Sequence, residues 1–596
     1  MPKRINDFAL IGDLETAALI DRDGSIEWLC LPRFDSAACF AALLGGPENG
    51  RWRIAPVGEV TRRSRRYTDG SLVLETDFET AEGAATLIDF MPPRDDNCDL
   101  IRIVVGRSGT VEFDFDLVIR FDYGRTVPWV SRLDDGTLTA IAGPDLLVLH
   151  TPVELHGEDM HTRGQFTVRA GDRLPFVMTH LPSTAAVPAA VDAEALLETT
   201  LAYWRDFSGK CLPAGDWSEL VKRSLITLKA LTYGPTGGIV AAATTSLPEW
   251  IGGERNWDYR YCWVRDATVT LLALMKLGYY QEASAWRDWL LRAVAGDPAQ
   301  MQIMYGIAGE RRLPEWEIPW LPGFRNSRPV RIGNAAAGQL QIDIYGELSD
   351  ALAQARAGGL PPHPRARAIR EAYLKHLETI WNEPDEGIWE FRGPRRHFVH
   401  SKVMAWVSFD RAAKEAEADG DETTARHWRR VADAIHADVC LKGFDTGIDS
   451  FVQSYGSQLL DASLLHIALV GFLPATDKRV LGTIKAIEQR LMRNGLLLRY
   501  ETEQADDGLP PGEGAFLACS FWLADNYVLC GRIHDATMLF ERLTGYCNDL
   551  GLLSEEVDPA TGEMLGNFPQ AFSHVGLIHT ALNLSDHEGP AVKRSS

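Results

Sequence analysis

The spacing of hydrophobic residues changes character about one third of the way along the chain. Up to about residue 185, short β-rich runs such as SLVLETDFET, LIRIVVGR and TVEFDFDLVIRF are separated by Gly, Asp and Asn turns at intervals of about 8–12 residues. This pattern predicts an antiparallel β-sandwich over residues 1–185. Pro-punctuated, Ala-rich sequence then gives way to helical periodicity, which predicts a helical linker over residues 186–215.

From residue 216 onward the periodicity is helical, and two kinds of helix alternate. Segments 265–277 and 514–530 are apolar almost all round, as in helices enclosed on every side, whereas 281–294 and 534–547 carry one apolar stripe. Twelve helices are predicted, near 216–233, 265–277, 280–295, 335–357, 363–381, 401–418, 421–439, 460–470, 476–490, 514–530, 533–548 and 570–584. This alternation predicts an (α/α)6 barrel over 216–596, and periodicity alone leaves open an irregular helical bundle or a solenoid.

Composition narrows the class of partner. The chain has 60 Lys and Arg against 82 Asp and Glu, and its formal charge of −22 repels phosphate backbones and anionic lipid. We therefore expect neither nucleic acid nor membrane as a partner, and homo-oligomerisation stays open. No apolar run resembles a signal peptide or a membrane span, so a cytoplasmic location is expected. Nine cysteines without a C-x-x-C pair indicate neither a disulfide framework nor a zinc site.

Polar and aromatic residues are concentrated in six stretches, each just before a predicted inner helix. The stretches are 255–267, 304–334, 386–402, 451–463, 499–516 and 554–574. If those helices form an inner ring, the six loops open on one rim and converge on a pocket. The sequence lacks H-E-x-x-H, G-x-x-x-x-G-K-[ST] and G-x-S-x-G, so we expect no metal, no cofactor and no activated serine. Carboxylates among aromatic residues remain, and this combination suits glycoside cleavage by an acid and a base.

Glu390 is the candidate acid. It is flanked by Trp389 and Phe391, and an apolar shell favours the protonated carboxyl that an acid needs. The alternative is a structural ion pair of Glu390 with Arg392 or Arg395.

Two further groups carry candidate chemistry. Glu555 and Glu556 are adjacent, so only one of them can readily face a pocket, and composition does not decide which. Trp263, Arg265 and Asp266 lie together at the start of an inner helix, where Arg and Asp can hold sugar hydroxyls beside an aromatic wall. The alternative for Arg265 and Asp266 is a pair that caps the helix N-terminus.

Other candidates are less specific. Three further candidate sugar contacts in these loops are Trp257, Trp389 and Asn334. The run His400–Ser401–Lys402 is interpreted as structural, with Ser401 as the N-cap of the next helix and a sugar contact by Lys402 as the alternative. His574 either lines the pocket or fills the core.

The ordered motifs resemble one known family over nearly the whole chain. IGDLETAALIDRDGSIEWLCLPRFDS, RNWDYRYCWVRDA, RPVRIGNAAAGQLQ, SYGSQLLDASLL, GEGAFLACSFWL and SEEVDPATGEMLGNFPQAFSHVGLI are similar to glycoside hydrolase family 15, the family of glucoamylases and bacterial-type trehalases. The resemblance implies cofactor-independent, inverting hydrolysis of an α-glucoside with release of β-glucose. It implies Glu390 as acid, because the family's acid directly follows a Trp, and Glu555 as base, because the base is the first acidic residue of the late pair. It also implies that Arg265 and Asp266 hold the terminal glucose beside Trp263.

Departures from the family pattern bear on the substrate. Phe391 stands where fungal glucoamylases carry a second Glu, Glu556 stands where they carry Gln, and no starch-binding module follows the barrel. We therefore expect α,α-trehalose as substrate, with malto-oligosaccharides as the alternative. A disaccharide phosphorylase is a remote alternative, because a carboxylate at Glu555 repels phosphate. A non-catalytic sugar-binding protein is another, opposed by the retention of both Glu390 and Glu555.

Overall fold

The computed structural model describes residues 3–585 and 589–595, apart from the side chain of Ala267. The outer ends of the predicted domains, residues 1–2 and 596, lie outside the described residues, as does the segment 586–588. Strands dominate up to Pro182, a single helix follows, and the rest of the chain is mainly helical.

The N-terminal domain is an antiparallel β-sandwich, as predicted. Its strands are β1 Ala9–Gly12, β2 Ala17–Ile20, β3 Ser25–Cys30, β4 Ala38–Phe40, β5 Arg51–Pro56, β6 Val60–Tyr67, β7 Leu74–Thr80, β8 Gly83–Phe90, β9 Cys98–Val118, β10 Trp129–Arg132, β11 Leu138–Ala142, β12 Asp145–His150, β13 His156–Glu158, β14 His161–Arg169 and β15 Arg173–Pro182, with the four-residue helix α1 Phe121–Gly124 after β9. One sheet runs β1-β2-β3-β5-β9-β14-β13, with β4 beside β3, and the other runs β6-β7-β8-β9-β15-β12-β11-β10. Phe78 and Phe176 of the second sheet contact Phe113 and Phe115 of the first, so the two inner faces form one core.

Strand β9 differs from the sequence expectation. LIRIVVGR and TVEFDFDLVIRF were expected as two strands with a turn between them, but they form one strand of 21 residues shared by both sheets. Gly109 has φ 57°, and a Cβ at Gly106 would lie 2.0 Å from the carbonyl oxygen of Arg169. The glycines therefore let the strand pass from one sheet into the other instead of ending it. The prediction of a turn was wrong.

The helical domain is an (α/α)6 barrel, so the bundle and solenoid alternatives are wrong. The helices are α2 Ala193–Gly209, α3 Ser218–Ala230, α4 Ala267–Lys276, α5 Tyr280–Ala293, α6 Asp343–Ala357, α7 Ala366–Ile380, α8 Val399–Ala418, α9 Glu422–Lys442, α10 His466–Leu469, α11 Lys478–Leu491, α12 Leu517–Leu529, α13 Ile533–Thr544, α14 Ala571–Ser585 and α15 Pro590–Ser595. Helices α4, α6, α8, α10, α12 and α14 contact one another in that order, and α14 contacts α4 to close the inner ring. Helices α3, α5, α7, α9, α11 and α13 form the outer ring.

Burial follows the two kinds of helix read from the sequence. Every residue of 399–413 in α8 and of 517–527 in α12 is buried, whereas α13 buries only the stripe of Ala536, Leu539, Phe540 and Leu543. Burial of a large apolar side chain contributes about 1.5–3 kcal/mol, so these patterns fix which helices lie inside. None of the described helices combines the length and hydropathy that a membrane span needs.

Short antiparallel ribbons stiffen the loops of the barrel. They are β16 Thr232–Tyr233, β17 Gly238–Ile239, β18 Thr245–Pro248, β19 Asn256–Asp258, β20 Cys262–Trp263, β21 Met304–Tyr305, β22 Trp316–Ile318, β23 Val330–Ile332, β24 Phe444–Asp445, β25 Ser450–Phe451, β26 Met492–Arg493, β27 Leu496–Leu497, β28 Ala515–Phe516, β29 Glu556–Val557 and β30 Met564–Leu565. The β28–β29–β30 sheet fixes the backbone next to Glu555, and the β18–β19 pair fixes the backbone next to Trp257.

The two domains are joined by buried polar contacts close to one of these loops. The indole of Trp28 donates a hydrogen bond of 2.9 Å to the carbonyl of Ala243. Arg260 is fully buried, pairs with Asp258 at 2.7 Å and donates to the carbonyl of Ser36 at 2.8 Å. A buried guanidinium is stable only with such partners, so the N-terminal domain holds the 255–267 loop in place.

Candidate active site

One cavity of ≈ 510 Å³ lies where the loops before the inner helices meet. It is lined by Glu249, Arg255, Trp257, Tyr259, Arg265, Ile388, Trp389, Glu390, Arg392, Arg499, Leu509, Phe516 and Glu555. Four of the six polar stretches supply lining residues, namely 255–267, 386–402, 499–516 and 554–574. The fold thus brings Glu390 and Glu555, which are far apart in the sequence, into the lining of one cavity.

Glu390 lies on a tight turn with a strained backbone. Its φ is 60°, in the left-handed region, and its amide donates to the carbonyl of Gly387 at 3.2 Å. Its Oε1 accepts a hydrogen bond of 2.7 Å from the indole of Trp263 and lies 3.5 Å from a guanidinium nitrogen of Arg265. Non-glycine residues in this conformation cluster at functional sites, because the surrounding structure must hold them there.

The surroundings of Glu390 differ from both sequence interpretations. Arg392 pairs with Glu315 at 2.7 Å and Arg395 pairs with Glu386 at 2.9 Å, so neither arginine forms the structural ion pair considered for Glu390. The expected apolar shell is incomplete, because the carboxyl group touches an indole N–H and a guanidinium.

Glu555 rather than Glu556 faces the cavity. Glu555 is 1 % exposed, and its Oε2 accepts from the amide of Asn567 at 3.2 Å. Its Oε1 has no hydrogen-bond partner among the described residues. Glu556 begins strand β29 and does not line the cavity, and its Oε2 accepts from the amide of Gly514 at 2.8 Å.

Burial, with the nearby charge of Glu249 as the second cause, raises the pKa of Glu555 to about 8. The nearby hydroxyl of Tyr259 and the charge of Arg499 oppose that shift. A carboxyl group with this proton affinity is a strong base once ionised.

Of the three predicted sugar-binding residues at the start of α4, Arg265 lines the cavity, and Trp263 and Asp266 are outside its lining. Trp263 is 3 % exposed and reaches Glu390 through its N–H, whereas Arg265 lines the cavity and donates to the carbonyl of Ile388. Asp266 occupies the N-cap position of α4 without a side-chain capping hydrogen bond, so the capping interpretation is wrong. Burial raises the pKa of Asp266 to about 6, opposed by the charge of Arg265.

Two aromatic side chains form walls of the cavity. The indole N–H of Trp389 donates to Asp461 at 2.8 Å, which fixes the ring. The guanidiniums of Arg331 and Arg392 lie over the Trp257 ring, at 4.5 and 4.3 Å from its centroid. Cation–π contacts of this kind hold an indole in place, and the indole surface that they leave uncovered suits the apolar side of a sugar ring.

Asn334 and Lys402, which are also predicted sugar contacts, do not line the cavity. Asn334 is 2 % exposed, and its side chain accepts from the amide of Ala336 at 3.0 Å, which caps a short 3-10 turn. Lys402 is fully buried and donates to the carbonyl of Glu383. Neither residue lines the cavity, because each side chain bonds to a backbone group elsewhere. The structure therefore does not support the predicted sugar contacts.

Two remaining sequence interpretations are resolved by helix boundaries and burial. Helix α8 begins at Val399, so Ser401 lies inside its first turn and the prediction of Ser401 as N-cap was wrong. His574 is fully buried and accepts from the amide of Leu553 at 3.2 Å, so it belongs to the core.

Four polar or charged lining residues, Glu249, Arg255, Tyr259 and Arg499, were not identified from the sequence. Tyr259, Arg255 and Arg499 belong to the polar and aromatic stretches, but nothing distinguished them from their neighbours there. Glu249 lies in the run TTSLPEW before the first stretch, and a single carboxylate after a short apolar strand gives no sequence signal.

Two groups of buried side chains have ligand-type atoms within 4.8 Å of one another in the described part of the chain. They are Glu347, His400 and His466, and Glu249, Glu555 and Glu556. In the first group Arg594 lies 3.2 Å from the Glu347 carboxylate, and in the second Arg499 lies 2.9 Å from that of Glu249. These guanidiniums provide the positive charge that a cation would otherwise supply, so we assign neither group to a metal.

The geometry supports acid–base chemistry on a sugar. Two carboxyl groups in different environments share one cavity, and differing environments separate the roles of acid and base. Aromatic walls and a guanidinium are the contacts that a neutral sugar needs. This set of groups suits cleavage of a glycosidic bond.

Comparison with known proteins agrees with this chemistry. Residues 215–582 match the family described as "Glycosyl hydrolases family 15", and residues 1–200 match the domain described as "Trehalase-like, N-terminal". A curated protein of Mycolicibacterium smegmatis named trehalase is 39% identical over 97% of this chain and 91% of its own length. One of Thermoplasma volcanium, also named trehalase, is 35% identical over 100% of this chain and 95% of its own length.

A solved structure shows the same architecture. A bacterial glucoamylase in complex with acarbose superposes with a TM-score of 0.72 at 13% identity, covering 98% of this chain and 94% of that one. At that identity the likeness concerns the fold. The family match over the barrel and the relatives above 30% identity establish that the chain is a glycoside hydrolase and belongs to glycosyl hydrolases family 15.

Proposed function

We propose that the protein hydrolyses α,α-trehalose with inversion at the attacked anomeric carbon. The observation that carries the proposal is the placement of Glu390 and Glu555 in one cavity with aromatic walls. The substrate follows from the relatives named trehalase, which align with 97% or more of this chain at 35–39% identity.

In the proposed mechanism Glu390 is the acid and Glu555 is the base. Glu390 donates a proton to the bridging oxygen as the bond from that oxygen to the anomeric carbon breaks. Glu555 takes a proton from a water molecule, whose oxygen forms the new bond to the same carbon. One glucose leaves as the β anomer and the other departs with the bridging oxygen as the α anomer.

The surrounding side chains have proposed supporting roles. Trp263 and Arg265 hold the Glu390 carboxyl group, and Tyr259 holds that of Glu555. Arg265 and Asp266 bind hydroxyls of the attacked glucose, and Trp257 and Trp389 pack against the sugar rings. All nine cysteines are free, which supports a cytoplasmic location within this proposal.

A proton NMR time course tests the proposal. Purified protein is mixed with trehalose in one tube and with maltotriose in another, and glucose anomers are followed before mutarotation. We expect equal amounts of α- and β-glucose from trehalose and little glucose from maltotriose. Glucose from maltotriose alone would make the protein a glucoamylase, and α-glucose as the sole early product would contradict inversion.

Matched variants connect that reaction to the cavity. We expect Glu390→Gln and Glu555→Gln to abolish most of the glucose signal, because each removes a proton-transferring group. Glu254→Gln is the control, since Glu254 is exposed and outside the cavity. Full activity of either cavity variant would contradict its assigned role.

A further inference from the structure

Glu555 lies against a buried group of charged side chains, of which the proposed mechanism uses none. The group contains the carboxyl groups of Glu249, Asp507, Glu513 and Glu556 and the guanidiniums of Arg255 and Arg499. With Glu555 it comprises five carboxyl groups and two guanidiniums. Among the described residues, this buried group therefore has more acidic than basic members.

The two guanidiniums are shared unevenly. Arg499 lies 2.6 Å from Glu513, 2.9 Å from Glu249 and 3.6 Å from Glu556. Arg255 lies 2.7 Å from Asp507 and 3.4 Å from Glu513. The two guanidiniums thus make their shortest contacts with Glu513 and Asp507. Glu249, Glu555 and Glu556, whose oxygens lie within 4.8 Å of one another, share the remaining negative charge.

Glu249 is fixed in this group by its backbone as well as its side chain. It directly follows strand β18, its amide donates to the carbonyl of Arg255 at 3.1 Å, and its carbonyl accepts from Gly514 at 2.8 Å. It is 1 % exposed and lines the same cavity as Glu390 and Glu555. Its Oε2 pairs with Arg499, while its Oε1 has no hydrogen-bond partner among the described residues.

We propose that Glu249 is a positioning residue of this active site, whose buried negative charge, anchored by Arg499, makes Glu555 a stronger base. The inference rests on the proposed function, because it assigns Glu249 a part in the same hydrolysis. Glu249 acts through Glu555 and forms no bond to the reacting carbon.

The balance of charges around Glu555 supports this role. Burial and the charge of Glu249 raise the pKa of Glu555, and the hydroxyl of Tyr259, the charge of Arg499 and the amide of Asn567 lower it. Two further carboxyl groups belong to the same buried cluster: Glu556 on β29, and Glu513 in the segment before β28. The net direction is upward, to about 8. Like charges held within a few ångströms in a buried site have this effect, because ionising the second group costs more than ionising the first.

The consequence appears in the pH dependence of kcat/KM, which reports groups of the free enzyme. Hydrolysis needs Glu555 ionised and Glu390 protonated in the same molecule, so each of the two groups sets one limb of the profile. The proposal places the limb set by Glu555 in the neutral range, well above the pKa of about 4.3 for an ordinary Glu. Without the charge of Glu249, the limb moves to lower pH.

The experiment is a set of kcat/KM profiles on trehalose for the wild type, Glu249→Gln, Glu249→Asp and the exposed control Glu254→Gln. Glutamine keeps the size of Glu249 and still accepts from Arg499 without a charge. We expect Glu249→Gln to move the limb set by Glu555 to lower pH by about one pH unit or more. Glu249→Asp keeps the charge, so its limb and that of Glu254→Gln are expected to stay within a few tenths of the wild-type position.

Two results would overturn the role of Glu249. One is a Glu249→Gln variant that loses the same fraction of activity at every pH with its limb unmoved. The other needs no variant and is a wild-type profile in which neither limb lies in the neutral range. If the wild type cleaves maltotriose and not trehalose, the proposed substrate fails, yet the same profiles on maltotriose still decide the role of Glu249.

Discussion

Replacement of Arg499 by Met removes the cation that three buried carboxyl groups share. Its guanidinium contacts Glu513 at 2.6 Å, Glu249 at 2.9 Å and Glu556 at 3.6 Å. Removing one partner of a buried ion pair costs about 3–5 kcal/mol, because the other charge stays buried without compensation. We expect Arg499→Met to lower the free energy of unfolding by about that amount near pH 8.

The expected loss depends on pH with a definite sign. Burial already raises the pKa of Glu249, Glu555 and Glu556 above the values of the unfolded chain. Groups with raised pKa bind protons better when folded. Their contribution to stability is therefore present at pH values below the pKa of the unfolded chain. It is lost as the pH rises through the pKa of the folded protein, which is about 8 for Glu555. Arg499→Met raises the pKa values of these carboxyl groups further. The loss of folding free energy is therefore smaller at about pH 5, where protonation of the carboxyl groups replaces the missing cation.

Urea unfolding followed by tryptophan fluorescence at the two pH values measures this cost. The control is Arg367→Met, the same substitution at an exposed ion pair with Glu371 on helix α7, for which no measurable loss is expected. A loss under about 1 kcal/mol for Arg499→Met, or an equal loss at both pH values, would refute the charge balance described for this cluster.

Three further predictions concern the cavity. Trp263→Phe removes the indole N–H that donates a hydrogen bond to Glu390, and such a bond to a charged partner contributes about 1.5–3 kcal/mol. We therefore expect kcat to fall about 10- to 100-fold in steady-state assays on trehalose. An unchanged kcat would show that the contact is dispensable. Glu555→Gln is expected to lose about 10²- to 10⁴-fold in kcat and Glu556→Gln clearly less, and the reverse order would move the base to Glu556. Lys402→Met is expected to lower the melting temperature and leave KM for trehalose unchanged, whereas a higher KM with an unchanged melting temperature would restore Lys402 as a sugar contact.

Periodicity predicted the barrel because inner and outer helices bury different fractions of their surface. The stripe of α13 and the continuous burial of α12 appear in the structure at the positions read from the sequence. The segment 460–470 was predicted as one helix, but it folds as a 3-10 turn, Ala462–Leu465, followed by the four-residue helix α10. Its boundaries depend on packing between α8 and α12, which no local pattern encodes.

The same distinction applies to the candidate site. Glu390 and Glu555 were found because aromatic and paired-carboxylate motifs are local, and the fold then placed both side chains in one cavity. Lys402 and Asn334 sit in the same loops, yet each turns to a nearby backbone group, and loop sequence does not fix side-chain direction. Glu249 enters the site from a strand outside the six stretches, through contacts far apart in sequence.

The assignment of separate acid and base roles is tested most directly with α-glucosyl fluoride, whose fluoride leaves with little need for a proton. We expect Glu390→Gln to lose about 10²- to 10⁴-fold in kcat on trehalose while it cleaves α-glucosyl fluoride within about tenfold of the wild-type rate. Glu555→Gln is expected to lose both activities, because it no longer activates water for either substrate. Equal losses on the two substrates in Glu390→Gln would contradict the assignment of Glu390 as the proton donor.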